Sequence, residues 1–231
     1  MLINGLQKLT LLDYPGRTAC TVFTGGCNFV CPFCHNPGLV LNVSEQPVIP
    51  EEEFFVFLDK RKKLLDGVCI TGGEPTLQPD LIEFIKKIKD KGYEVKLDTN
   101  GYKPEILHKL MDLGLLDYAA MDIKSSQSKY AEAAGVKKLD IRPVIESADL
   151  LLKGSLPFEF RTTVVRQLHK PEDFTEIGQW LKGAPKYFIQ NFKDSGDIIK
   201  QGLSPCSRQE LEDMLSALRV YIPSAELRGE D

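Results

Sequence analysis

The chain has 231 residues, of which 42% are hydrophobic and 27% charged, and its formal net charge is −4. These values predict one globular domain over 1–231 with an ordinary buried core. The mild acidity argues against a general nucleic-acid binder, which would carry a basic stripe, and no apolar run is long enough to cross a bilayer. The start of the chain lacks the regions of a signal peptide. We therefore expect a cytoplasmic protein that binds neither nucleic acid nor membrane.

Short apolar, β-branched runs alternate with stretches of helical periodicity along the chain. The predicted strands are residues 18–24, 67–71, 94–99, 118–123, 158–165 and 187–192. The predicted helices are residues 54–65, 79–92, 106–114, 144–152, 171–181 and 211–218. This order predicts an α/β fold with a parallel sheet and outer helices. Because a full barrel takes eight such units, six of them predict a partial (βα)6 TIM-like barrel, with its active site at the carboxyl ends of the strands.

Three of the six cysteines follow the first predicted strand with the spacing C-x3-C-x2-C, at Cys27, Cys31 and Cys34. One interpretation is a structural zinc site with His35 as the fourth ligand. Against it, neighbours in an extended chain point apart, and zinc ligands usually come as two separated pairs. The other interpretation is a [4Fe–4S] cluster held by three thiolates, with one iron left open for a substrate or cofactor. The spacing alone leaves both interpretations open.

The other three cysteines are scattered. Cys20 and Cys69 lie in apolar, strand-like runs and are expected to be small buried hydrophobic residues. Cys206 lies in a predicted loop and receives no role. No further cysteine lies between Cys34 and Cys69.

Polar motifs follow the later strands as well. TGGEPTLQ contains Glu74, which can accept hydrogen bonds from an ammonium group, and its glycines let the backbone approach a ligand closely. DTNG follows the third strand, and MDIKS, with Asp122 and Lys124, follows the fourth. The fifth strand contains Arg161 within an apolar run, where a buried guanidinium requires a partner. Each motif alone also fits an ordinary turn or a solvated charge.

Taken together, the motifs resemble the radical S-adenosylmethionine (SAM) superfamily. The resemblance rests on the cysteine motif, with Phe33 before its last cysteine, and on GGEP after the next strand. It covers nearly the whole chain, as a single radical SAM domain. The stretch from Asp13 to Gly16, the closing Cys-His-Asn, DTNG and D-x-K are similar to the glycyl-radical-enzyme activases, above all to the activating proteins of anaerobic ribonucleoside-triphosphate reductase.

The resemblance implies the chemistry of the family. The methionine moiety of SAM would bind the open iron, and one electron from the reduced cluster would split the C5′–S bond. The resulting 5′-deoxyadenosyl radical would abstract hydrogen from a backbone glycine of a large partner enzyme. Reduced flavodoxin or ferredoxin is the expected electron donor. The cofactor carries this chemistry, and the protein positions it.

Site roles are implied by the same resemblance. The predicted metal ligands are Cys27, Cys31 and Cys34. The predicted cofactor-binding residues all belong to the motifs quoted above and are Phe33, His35, Gly72, Gly73, Glu74, Asp98, Thr99, Asn100, Asp122, Lys124 and Arg161.

Within that set, the resemblance gives more specific roles. The Gly72 to Glu74 segment receives the methionine ammonium, and Phe33 and His35 flank the adenine and the cluster. Asp98 and Lys124 surround the methionine and the ribose, and we expect them to serve cofactor binding rather than folding. Oxygen ligands for a monovalent cation come from Asp98, Thr99 and Asp122. Asp13 is the candidate contact for the substrate peptide.

One departure affects the choice of partner. Pyruvate formate-lyase activases place a histidine near the end of the sixth strand, whereas this chain has Phe192 at about that position. This ranks pyruvate formate-lyase second as the partner. A small-molecule radical enzyme, such as a 7-carboxy-7-deazaguanine synthase-like protein, remains a rival, as does a zinc-bound scaffold without turnover.

Overall fold

The computed structural model describes residues 1–194 and 196–229. The predicted domain over 1–231 therefore includes three residues, 195, 230 and 231, that lie outside the described part. The strands within the described part are β1 (Ile3–Thr10), β2 (Ala19–Thr24), β3 (Gly67–Gly72), β4 (Glu94–Thr99), β5 (Tyr118–Asp122), β6 (Phe158–Val164), β7 (Tyr187–Asn191) and β8 (Ala225–Arg228). The helices are α1 (Gly38–Leu41), α2 (Glu51–Lys60), α3 (Leu81–Asp90), α4 (Pro104–Asp112), α5 (Tyr130–Ala134), α6 (Arg142–Lys153), α7 (Pro171–Trp180) and α8 (Arg208–Arg219).

The strands follow one another in the sheet in chain order, from β1 to β8. β1 pairs antiparallel with β2, and the pairs β2–β3, β3–β4, β6–β7 and β7–β8 are parallel. The predicted fold class, a mostly parallel α/β sheet with alternating helices, is confirmed. The six predicted strands correspond to β2–β7, with ends that differ by at most one residue.

The sequence prediction was incomplete at both ends of the sheet and wrong at one helix. It omitted β1, whose segment INGLQKLT is poor in β-branched residues and is partly exposed, so that pairing with β2 rather than intrinsic propensity makes it a strand. It also omitted β8, which has only 4 residues. The predicted helix 54–65 ends at Lys60, and Lys63 has a φ of 71°, a left-handed conformation that no α-helix contains.

The chain divides into two compact units. The first contains Met1–Asn28, Gly38–Thr99 and Lys103–Ala119, and the second contains Phe29–Pro37, Asn100–Tyr102 and Ala120–Asp231. The prediction of a single domain stays a prediction. Cys27 belongs to the first unit, whereas Cys31 and Cys34 belong to the second.

Each unit has an apolar core of its own. In the first, α3 buries Phe84, Ile85 and Ile88 at helical spacing. In the second, α7 buries Phe174 and Ile177. Among the described residues, no helix is both long enough and apolar enough to span a membrane.

Candidate functional site

In the first unit, the GGEP glycines lie against the chain segment that leads to Cys27. The amide of Gly73 donates to the Thr24 carbonyl at 2.8 Å, and the amide of Glu74 donates to the Gly26 carbonyl at 2.7 Å. A Cβ atom on Gly73 would lie 2.0 Å from the Gly26 carbonyl oxygen, and Gly72 has a φ of 122°. Both glycines are therefore required by close backbone approach within the protein. Their contact with a methionine ammonium stays a prediction.

Glu74 is 1% exposed and joins the carboxyl ends of β3 and β4. Its Oε1 atom accepts hydrogen bonds from the Thr76 amide at 3.1 Å, the Thr76 hydroxyl at 2.5 Å and the Thr99 hydroxyl at 2.7 Å. Glu74 also caps the short 3-10 helix that follows β3. Two of the predicted site residues, Glu74 and Thr99, are thus brought into direct contact.

Asp98 has a buried basic partner that the sequence analysis missed. Lys96, on β4, is 1% exposed and donates a hydrogen bond to Asp98 Oδ1. Its Nζ atom also lies 3.9 Å from Cys69 Sγ. The expectation that Asp98 serves binding rather than folding stays a prediction, and its pairing with a buried ammonium group adds a contact within the protein. Strand alternation, which places residues i and i+2 on one face, was the available signal.

Within the same unit, Asp13 contacts β2. Its Oδ2 accepts from the Thr21 hydroxyl at 2.5 Å. The next residue, Tyr14, packs at the amino ends of the strands, where its ring contacts Gly67 and its hydroxyl donates to Glu94 at 3.3 Å. β2 is about 17 Å long, and Thr21 lies within it. Thr21 pairs with Cys69 of β3, and Cys69 pairs with Lys96 of β4. Through Thr21, Asp13 is therefore connected to the row of residues that contains Lys96, the partner of Asp98.

In the second unit, the loop that contains Cys31 and Cys34 is held by backbone contacts on both sides. The amide of Cys34 donates to the Cys31 carbonyl at 3.0 Å, so the two cysteines share one turn. Val30 N donates to Ala134 O at 3.0 Å, and Lys200 N donates to the carbonyl of Pro32 at 2.9 Å. The loop conformation is therefore set by chain segments more than 100 residues away in the sequence.

The two predicted aromatic contacts, Phe33 and His35, are both supported by other rings. Phe33 is 4% exposed and meets the edge of His169, with ring centroids 6.2 Å apart. His35 stacks on Phe192, and its Nε2 lies 2.9 Å from the Lys193 carbonyl. Phe192 occupies about the position at which pyruvate formate-lyase activases have a histidine, and its ring packs against the ring of His35.

Asp122, Lys124 and Arg161 form a compact ionic group. Asp122 Oδ2 lies 3.1 Å from Lys124 Nζ, and its Oδ1 lies 2.9 Å from Arg161 Nη2. Burial opposes ionisation of the carboxyl, but the charges of Arg161 and Lys124 outweigh it and hold the pKa of Asp122 well below its usual range. The three side chains thus contribute two cationic groups and one carboxylate to this part of the second unit. The expectation that Lys124 serves cofactor binding rather than folding stays a prediction.

Asn100 belongs to a turn. Its Oδ1 accepts from the Tyr102 amide at 3.0 Å, and Gly101 adopts a φ of 74°. A Cβ atom on Gly101 would lie 2.2 Å from the Met121 methyl group. The Asn-Gly sequence thus forms the turn that its chemistry predicts, and the cofactor role of Asn100 stays a prediction.

His169 is a second residue that the sequence analysis missed. It is 2% exposed, its Nδ1 accepts from the Val165 amide at 3.0 Å, and its Nε2 lies 2.8 Å from the Lys124 carbonyl. Because Nδ1 accepts, the Nε2–H must donate, and burial keeps the imidazole neutral by lowering its pKa. No short-range pattern reveals this contact, which spans 45 residues.

The cysteines have the chemistry that an iron–sulfur cluster requires. None of the six forms a disulfide. Burial raises the pKa of the Cys31 thiol to about 11, against an opposing effect of Lys124, and metal binding would supply the positive charge that stabilises the thiolate. Among the described residues, no three His, Cys, Asp or Glu side chains are grouped as ligands of a single metal ion.

Comparisons with known proteins place the chain in a family. The model of the Radical SAM superfamily matches residues 21–181. A Methanocaldococcus jannaschii protein, provisionally named a glycyl-radical enzyme activating enzyme, is 34% identical over 233 residues, which cover 98% of this chain and 95% of the relative. A pyruvate formate-lyase-activating enzyme of Listeria monocytogenes is 30% identical over 200 residues, which cover 79% of this chain and 77% of the relative.

A solved structure supports the fold. Streptococcus suis SuiB bound to S-adenosylmethionine matches with a TM-score of 0.67 and 18% identity, over 89% of this chain and 49% of SuiB. The family match and the near-complete coverage of the archaeal relative show that the chain belongs to the radical S-adenosylmethionine superfamily and, within it, to the glycyl-radical enzyme activating enzymes.

Proposed function

We propose that this enzyme reductively cleaves SAM at a [4Fe–4S] cluster and generates a glycyl radical on a partner enzyme. Anaerobic ribonucleoside-triphosphate reductase is the first choice of partner. The observation that carries the proposal is the 34% identity to a glycyl-radical enzyme activating relative over 98% of this chain. The family implies the cluster and SAM, and the thiols of Cys27, Cys31 and Cys34 fit as its ligands.

When bound, the cluster and SAM supply one-electron chemistry that ends in abstraction of a hydrogen atom. The task of the chain's own residues is to hold the cofactor. Lys124 and Arg161 are cationic hydrogen-bond donors of the kind that bind a carboxylate, and we assign them to the methionine carboxylate. Phe33 and His35, each packed against another ring, are pre-oriented to flank the adenine.

The first unit supplies the remaining contacts of the proposal. Glu74, with Gly72 and Gly73, receives the methionine ammonium. Asp98 contacts the ribose, and Asp13 contacts the substrate peptide. Asn100, which belongs to the second unit, is also assigned to cofactor binding. The proposal places the enzyme in the cytoplasm, with reduced flavodoxin or ferredoxin as its electron donor.

A monovalent cation is part of the proposal, with oxygen ligands from Asp98, Thr99 and Asp122. Both carboxylates already pair with cationic side chains, so we expect the cation to have a small effect. The test is SAM affinity in potassium buffer against tetramethylammonium buffer at equal ionic strength. Equal affinities would remove the cation from the proposal.

Two alternatives to this proposal differ in the partner enzyme or in the class of substrate. Pyruvate formate-lyase is the second choice of partner, and the identity to the Listeria activase favours it, whereas Phe192 argues against it. A small-molecule radical SAM enzyme, such as a 7-carboxy-7-deazaguanine synthase-like protein, is the alternative of a different class.

Formation of 5′-deoxyadenosine tests the proposed function. The reduced enzyme alone should release it slowly, because no hydrogen donor is held in place. Addition of the correct glycyl-radical partner should accelerate its release, and a partner that lacks the radical glycine should not. Acceleration by a small molecule, which is itself converted, with no effect of either protein partner, would overturn the proposal in favour of the small-molecule class.

A further inference from the structure

Lys96 is a basic residue buried within the first unit. Its side chain is 1% exposed, and lysine is almost never fully buried unless it is paired. Its ammonium group donates to Asp98 Oδ1 and lies 3.9 Å from Cys69 Sγ. Lys96 and Asp98 are two positions apart on β4, so both project from the same face of the strand.

The two members of this ion pair differ in access. The Asp98 side chain is 13% exposed, whereas the ammonium group of Lys96 is sealed from solvent. Asp98 can therefore reach a ligand, and Lys96 can act on that ligand only through Asp98. The following residue, Thr99, hydrogen-bonds Glu74 at 2.7 Å, which fixes the strand end that carries the Asp98 carboxylate.

A purely structural role explains Lys96 poorly. Replacing a buried ion pair by apolar residues of similar volume is often neutral or stabilising. Lys96 does, however, place a positive charge against the Asp98 carboxylate and restrict its orientation through a hydrogen bond. Fixed charge and fixed orientation are what a cofactor contact requires.

We propose that Lys96 is a positioning residue that holds the carboxylate of Asp98 in place for its contact with SAM. The inference rests on the proposed function, in which Asp98 is a cofactor contact. It predicts that the effect of Lys96 on SAM binding is transmitted entirely by Asp98.

A double-mutant cycle tests this transmission. SAM dissociation constants are measured by anaerobic calorimetry on reconstituted protein of matched iron content, for wild type, Lys96→Met, Asp98→Asn and the double variant. Lys96→Met should weaken binding by about tenfold. In the Asp98→Asn background, the same change should alter binding by less than about twofold, because the coupling partner is absent.

Controls separate positioning from general destabilisation. Lys89 also pairs with an aspartate, Asp117, at 2.6 Å in the same unit, but toward the amino ends of the strands. Lys89→Met should leave SAM affinity unchanged. If Lys96→Met fails to fold, Lys96→Gln, which keeps a hydrogen-bond donor, takes its place in the cycle.

The outcomes distinguish a failure of the positioning role of Lys96 from a failure of the proposed function. Wild-type affinity in the Lys96 variant, or equal losses from the Lys96 change in both backgrounds, would overturn the positioning role alone. Wild-type protein with full iron content that does not bind SAM would overturn the proposed function, and the positioning role with it.

Discussion

The ring of Phe192 stacks on the imidazole of His35, with ring centroids 5.5 Å apart and planes inclined by 24°. Phe192 is fully buried directly after β7, and His35 follows the last cysteine of the motif. The stack therefore connects the end of a strand to the proposed cluster loop. It gives a physical role to the position at which this chain departs from pyruvate formate-lyase activases.

Replacing Phe192 by Leu should weaken SAM binding without loss of iron. An aromatic pair contributes about 0.5–1.5 kcal/mol beyond area burial, which corresponds to about a two- to twelvefold change in affinity if His35 contacts the cofactor. Phe188→Leu on the same strand, which removes a ring from Arg228 instead, is the matched control and should bind SAM normally. Unchanged binding in Phe192→Leu would show that the stack does not serve the cofactor.

Glu74→Ala should lower the free energy of unfolding by about 2–4 kcal/mol, because buried donors on Thr76 and Thr99 lose their acceptor. Glu74→Gln, which keeps an amide oxygen as acceptor, should recover most of this stability and still bind SAM more weakly than wild type. Urea denaturation measures the first effect and calorimetry the second. Glu83, an exposed glutamate that pairs with Lys86, provides the control. Glu83→Ala should change the free energy of unfolding by less than about 0.5 kcal/mol. Equal stabilities of the two Ala variants would contradict the role given to Glu74.

The ion pairs of Asp122 should make a pH-dependent contribution to stability. Its folded-state pKa lies below the unfolded value of about 3.9. The contribution is therefore present above pH 4 to 5 and is lost as the pH falls toward the folded-state pKa. The stability deficit of Asp122→Asn relative to wild type should shrink over that acidic range, because the protonated carboxyl also lacks the charge.

Denaturant unfolding at a series of pH values measures this deficit. The Asp122 side chain is 34% exposed, so solvent screens part of the interaction. Asp140, which pairs with Arg142 on the surface, is the control, and Asp140→Asn should give a small deficit at every pH. A deficit for Asp122→Asn that grows on acidification would contradict the assigned ion pairs.

The cysteines should separate into two classes by iron content. Anaerobically prepared wild-type protein should contain about four irons per chain. Changing any of Cys27, Cys31 or Cys34 to Ala should abolish this content. Cys206→Ala and Cys69→Ala, which remove buried thiols outside the motif, should retain it. Stoichiometric zinc without iron after reconstitution would support the zinc interpretation instead.

The parts of the fold that local pattern dictates were predictable from the sequence. β4 was placed at its observed bounds, because its apolar residues and the turn motif after it are local signals. β1 was not predicted, since its strand conformation depends on pairing with β2 and a single bridge from Ile3 to Ile49. Propensity alone does not encode such partners.

The same distinction applies to the candidate site. The motifs after β2, β3, β4 and β5 were placed correctly at strand ends because turns there have short-range signatures, whereas their roles stay predictions. His169 was not found, because its contacts with Lys124 and Phe33 arise only from tertiary packing. Lys96 was not found because a lone lysine in a strand normally indicates an exposed position.

Electron paramagnetic resonance of the partner tests the central claim most directly. The reduced enzyme is incubated with SAM and anaerobic ribonucleoside-triphosphate reductase, and in parallel with pyruvate formate-lyase, in the absence of oxygen. We predict a glycyl-radical doublet on the reductase, absent when its radical glycine is replaced by Ala and absent with Cys31→Ala activase. A doublet only on pyruvate formate-lyase would reassign the partner, and no doublet on either protein, while SAM is cleaved and a small molecule is modified, would contradict the account.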